Sequence, residues 1–77
     1  MKIEEAFGRV LRKNRIRLNL TQENLAFISG LNRTAIGLLE RGERKALINT
    51  IFMLAEGLKM SASQLVMETE IEMGTEV

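Results

Sequence analysis

Apolar residues in this chain recur three and four positions apart, strand-like alternation is nearly absent, and no proline interrupts the pattern. That period gathers side chains on one face of a helix and predicts an all-α fold. Ile3, Phe7, Leu11 and Leu18 give a first helix over residues 3–18. Asn19 is suited to end it, because Asn tolerates the left-handed conformation of a helix terminus. Thr21 is a good N-cap for a second helix over 22–29, with Leu25 and Ile28 as its apolar stripe. Gly30 supplies the turn. Asn32 then caps a third helix from Arg33 to about Arg41, with Ile36 and Leu39 inward, Leu31 stapling the start and Gly42 stopping it. A fourth helix is expected over about 48–58. Ser61-Ala62-Ser63-Gln64 reads as a capping box, the Ser61 hydroxyl taking the Gln64 amide and the Gln64 side chain returning to Ser61. The fifth helix runs on through Leu65 and Val66 to about Ile71, and the chain from about residue 70 is expected to be a disordered tail.

The 77 residues are expected to form one compact five-helix domain with one modest core. Phe7, Leu11, Leu18, Leu25, Ile28, Ile36, Leu39, Ile51, Leu54, Ala55, Leu58 and Leu65 fill it. Leu47, Ile48, Phe52, Val66, Met67 and Ile71 are left in surplus. A core this small profits from burying such a surplus in a partner, so these residues are the expected homodimer interface. The chain has no Cys and no His. Disulfides, thiolate or imidazole metal sites and Cys- or His-based catalysis are therefore excluded. With no facing carboxylate pair and no phosphate-cradling loop either, no enzyme, metal or cofactor is expected. No apolar run reaches the length of a membrane span, the N-terminus does not read as a signal peptide, and a cytoplasmic protein without a small-molecule ligand is expected.

The net charge of +1 hides an asymmetry. Residues 1–45 hold ten basic and five acidic side chains, and residues 46–77 hold one basic and five acidic. A basic half suits a polyanion, and an acidic half should lie away from it. Arg9, Arg12 and Lys13 read as a solvated face.

Residues 21–41 meet each constraint of a helix-turn-helix. Ala26 is small enough for close helix crossing, Gly30 turns the chain, and Ile36 and Leu39 bury the second helix of the pair. Arg33, Thr34, Gly37, Leu38 and Arg41 then face outward. An α-helix fits the major groove of DNA, and its N-terminal residues meet the base edges.

The chain resembles the lambda-repressor/Cro-like (Xre-type) helix-turn-helix family. The resemblance is carried by Phe7-Gly8-Arg9-Val10-Leu11-Arg12, Leu20-Thr21-Gln22-Glu23-Asn24-Leu25-Ala26, Ser29-Gly30-Leu31-Asn32-Arg33-Thr34, Ile36 with Leu39-Glu40-Arg41-Gly42, and Leu54-Ala55-Glu56-Gly57-Leu58 with Met60-Ser61. Its size and the run Glu40-Arg41-Gly42-Glu43-Arg44 look like restriction-modification controller proteins, which are homodimeric transcription regulators. The resemblance implies that Arg33, Thr34 and Arg44 read bases of double-stranded DNA. It implies that Thr21, Gln22, Asn32, Arg41 and Lys45 contact phosphates, Gln22 through side chain and backbone amide, and that Arg15 and Glu40 form a partly buried ion pair. Ala35 stands where many relatives carry a larger contact residue. Gly37 is expected to allow close approach of the helix backbone to DNA. The alternative is a protein-binding, antitoxin-like module of the same fold.

Overall fold

The computed structural model describes residues 1–74, which form five helices and no strand: α1 (Ile3–Arg17), α2 (Gln22–Ser29), α3 (Arg33–Glu40), α4 (Ile48–Gly57) and α5 (Ala62–Met73). Each helix is stopped by a residue in the left-handed region: Asn19, Gly30, Gly42, Lys59 and Gly74. After α2, for example, the Leu31 amide reaches back 2.9 Å to the Ala26 carbonyl, which satisfies one of the carbonyls orphaned at the helix end.

The helix starts are built locally as well. Thr21 Oγ1 accepts from the Asn24 amide at 2.9 Å, and Asn24 Oδ1 accepts from the Thr21 amide at 3.3 Å. Asn32 Oδ1 accepts from the Ala35 amide at 2.8 Å. At α5 only half of the expected capping box forms. Ser61 Oγ accepts from the Gln64 amide at 3.0 Å, but its other contact is the Ser63 hydroxyl at 3.1 Å, and no bond from the Gln64 side chain returns to Ser61. The described part of the tail expected from about residue 70 is helical: α5 continues to Met73 and is capped by Gly74, with Thr69 and Leu65 buried. Residues 75–77 lie outside the described residues.

α1 packs on α3 and α5, α2 on α3 and α4, and α4 on α5. The core between them is Phe7, Val10, Leu11, Leu25, Ala26, Ile36, Leu39, Leu54, Ala55, Leu58 and Leu65, with Leu18 and Ile51 half-buried at its edge. Ile28 is a misassignment, being 53% exposed. The inward face of the short α2 is Leu25, Ala26 and Ser29 instead. The cause lies in α4, where a Cβ on Gly57 would sit 2.6 Å from Ser29 Oγ. Two small residues let the helices approach closely there, and Ile28 is left at the rim. The buried Ser29 hydroxyl has no hydrogen-bond partner among the described residues. A second close approach is at Gly8 of α1, where a Cβ would lie 2.5 Å from the Leu39 carbonyl oxygen and 2.6 Å from that of Glu40. α1 thus presses directly on the backbone of the last turn of α3.

Candidate nucleic-acid interface

α2 and α3 are joined by Gly30 at φ 75°, a conformation that L side chains disfavour, followed by Leu31 and Asn32. Ala26 of α2 is buried, as are Ala35, Ile36 and Leu39 of α3. Arg33 and Thr34 are exposed on the first turn of α3, and Leu38 is half-buried. Ala35 is buried, so a larger side chain there would have to displace its neighbours.

The end of α3 is fixed by a polar node. Glu40 accepts from Arg15 Nε at 2.6 Å, from Arg15 Nη2 at 3.0 Å and from Gln22 Nε2 at 2.9 Å. The Glu40 side chain is 2% exposed and that of Arg15 11%. The remaining Arg15 fork donates to the Leu20 carbonyl oxygen at 2.8 Å. The two-point geometry is the strong form of an arginine–carboxylate contact, and it ties α1 and α2 to α3 at a single residue.

That node changes the reading of Gln22. One of its two amide hydrogens is committed to Glu40, so one remains for a ligand, alongside the backbone amides of Gln22 and Glu23, which have no partner within α2. The acceptor oxygens of Thr21 and Asn32 are likewise used as helix caps. The Thr21 hydroxyl proton and the Asn32 side-chain amide stay available as donors. Both helix starts therefore present N–H groups and partial positive charge, which suits an anion.

Beyond α3, Arg44 and Lys45 are exposed in the connection to α4. They line, with Ile3, Phe7, Ile51 and Val66, a cavity of about 430 Å³. Arg41 meets Glu43 at 3.3 Å and folds over Gly37, which is buried rather than bare. Gly37 is expected to offer open backbone to DNA, and in the folded chain the side chain of the arginine four residues on lies over it. This cover, and the Gln22–Glu40 bond, were missed in the sequence. A glycine spaced four from an arginine was the one local signal for the first, and none existed for the second.

The six surplus apolar residues are all exposed. Ile48, Phe52, Val66 and Met67 line one groove of about 330 Å³ between α4 and α5. Leu47 is the N-cap of α4, and Ile71 lies one turn beyond Met67 on α5. Phe27 on α2, to which no role was assigned, is 88% exposed. Among the described residues no group of His, Cys, Asp or Glu is arranged to hold a metal ion, and no helix is long and apolar enough to cross a membrane.

Residues 11–65 match the helix-turn-helix family. Control protein C.SmaI of Serratia marcescens is 45% identical over 65 residues, which cover 84% of this chain and 77% of that protein. The crystal structure of the restriction-modification controller protein C.AhdI from Aeromonas hydrophila superimposes with a TM-score of 0.78 at 40% identity, covering 80% of this chain and 94% of the other. The wild-type restriction-modification controller protein C.Esp1396I superimposes with a TM-score of 0.85 at 29% identity, over 95% and 94% of the two chains.

Proposed function

The chain belongs to the lambda-repressor-like (Xre-type) helix-turn-helix family, and from that membership we propose that it is a sequence-specific DNA-binding transcription regulator of the restriction-modification controller kind. The observation that carries this reading is the first turn of α3. Arg33 and Thr34 are exposed there, while Ile36 and Leu39 behind them are buried and Glu40 pins the far end. A rigid helix with a polar, cationic leading turn is what major-groove reading requires. Arg33 reads guanine through its planar fork, Thr34 contacts a neighbouring base, and Arg44 extends the reading from the loop. Thr21, Gln22, Asn32, Arg41 and Lys45 hold the backbone. In this role the protein is not an enzyme and works in the cytoplasm, where the DNA is.

The same reading includes a two-fold dimer through the α4–α5 groove. Leu47, Ile48, Phe52, Val66, Met67 and Ile71 supply its apolar surface. An isologous pair sets two recognition helices roughly 34–36 Å apart, one turn of DNA, on a near-palindromic operator.

Selection of bound duplexes from a random pool tests the proposal. The wild type should return a two-fold consensus. Arg33→Ala should lose its preference at one base pair in each half-site, a discrimination of about 1–3 kcal/mol. A wild type that enriches no sequence, or an Arg33→Ala variant with the wild-type consensus at every position, overturns the reading.

A further inference from the structure

Gly37 stands inside the recognition helix, where glycine is among the poorest helix formers. Arg33, Gly37 and Arg41 are spaced four apart and share one ridge of α3. On that ridge Arg33 is exposed, yet Gly37 is buried. What covers it is the side chain of Arg41: a Cβ at position 37 would lie 3.1 Å from Arg41 Nη1 and 3.9 Å from Arg41 Cζ. The Gln22 Oε1 atom is 3.8 Å from the same point, so the Arg41 guanidinium and the Gln22 amide both border the space that a side chain at 37 would enter. Glu43 holds its other side at 3.3 Å.

We propose that Gly37 is a positioning residue for DNA binding that acts through Arg41, its missing side chain leaving the slot in which the guanidinium lies beside Gln22 as one half of a phosphate cradle. The inference rests on the DNA-binding reading. Gln22 supplies the other half, through its free amide hydrogen and the backbone amides at the start of α2. An arginine already lying in its slot loses less rotamer freedom on contact than one splayed in solvent, so the cradle is preorganised. Close approach of the helix backbone to DNA is a different account of Gly37, and the two make opposite predictions.

The added methyl of Gly37→Ala meets the tip of a flexible arginine whose side chain is 58% exposed, not a backbone. The variant should fold, and its melting temperature should rise by roughly 4–8 °C as alanine replaces glycine in a helix. Affinity should move the other way. Binding is measured for the wild type, Gly37→Ala, Gly37→Val, Arg41→Ala and the two double variants, against the duplex that the wild type selects and against a random-sequence duplex, over a salt series. Arg41→Ala should weaken both duplexes by on the order of tenfold, with a salt slope about one unit smaller per subunit. Gly37→Ala and Gly37→Val should show graded losses of the same character, and both losses should vanish in the Arg41→Ala background. Equal losses in the two backgrounds would mean that the bare backbone itself meets DNA, and would overturn the inference, as would full affinity in Gly37→Val. A wild type that selects no duplex fails the DNA-binding reading instead, so the two failures are told apart.

Discussion

Glu40 ties the far end of α3 to α1 and α2, although no base contact is ascribed to it. It accepts three hydrogen bonds from two residues on two other helices, in a site from which water is almost excluded. Removing one partner of such a pair is far costlier than the pair is worth, since the remaining charge stays buried without compensation. Glu40→Ala should therefore lose about 3 kcal/mol of stability, partly moderated by the bond Arg15 keeps to the Leu20 carbonyl. A fall of roughly 10 °C or more in a circular-dichroism melt is the expected result. An unchanged midpoint would show that the node is dispensable. The Arg15 half of this node was legible from the family resemblance. The Gln22 half was not, because residues 18 apart in sequence are brought together only when α2 turns under α3.

Two features decide how the helices sit. The first is Gly8, where α1 touches the carbonyl oxygens of Leu39 and Glu40. A methyl group there collides with backbone, which has no rotamer to yield. The overpacking of about 1–3 kcal/mol exceeds the gain of up to about 1 kcal/mol from a better helix former. Gly8→Ala should thus lower the urea midpoint, whereas Gly37→Ala should raise it, although both replace a helical glycine. Equal responses would remove the distinction between a backbone and a side-chain neighbour. The second feature is Lys59, which ends α4 in the left-handed region with φ 59°. An L-residue is strained there, and glycine relieves that strain while gaining freedom in the unfolded chain. Lys59→Gly should stabilise by a few tenths to about 1 kcal/mol, seen as a higher urea midpoint with an unchanged slope. A lower midpoint would show that the lysine side chain contributes more than the strain costs.

Over the whole molecule, the cavity that Arg44 and Lys45 line adjoins the apolar α4–α5 groove, with Val66 common to both. The groove between α4 and α5 gathers Ile48, Phe52, Val66 and Met67, away from the first turn of α3 in the chain of helix contacts. Part of the acidic half is drawn inward: Glu68 accepts from Asn14 Nδ2 at 2.9 Å, and Glu72 meets Arg9 at 3.7 Å. The second contact joins the exposed Arg9 to the half-buried Glu72 and contributes little, but it takes Arg9 out of the set of free cations. Phe52→Glu and Met67→Glu should leave the helical content intact while converting the protein to monomers with much weaker binding to its selected duplex. Sedimentation at micromolar concentration checks this directly. A wild type that is monomeric there yet binds with full affinity would refute the dimer.

The sequence by itself determined what depends on near neighbours. Helical periods, the caps Thr21, Asn32 and Ser61, and the stops at Asn19, Gly30 and Gly42 all rest on hydrogen bonds and backbone preferences spanning a few residues. With those, the helix-turn-helix and the exposure of Arg33 and Thr34 were already readable. The tertiary structure decided what depends on distance. Ile28 faces out because Ser29 and Gly57, distant in sequence, let α2 and α4 close on each other. Gln22 is half-committed because Glu40 lies beneath it. Helix period says which way a side chain points. Whether it meets solvent, a backbone or another side chain is set by packing, and packing is a property of the folded chain alone.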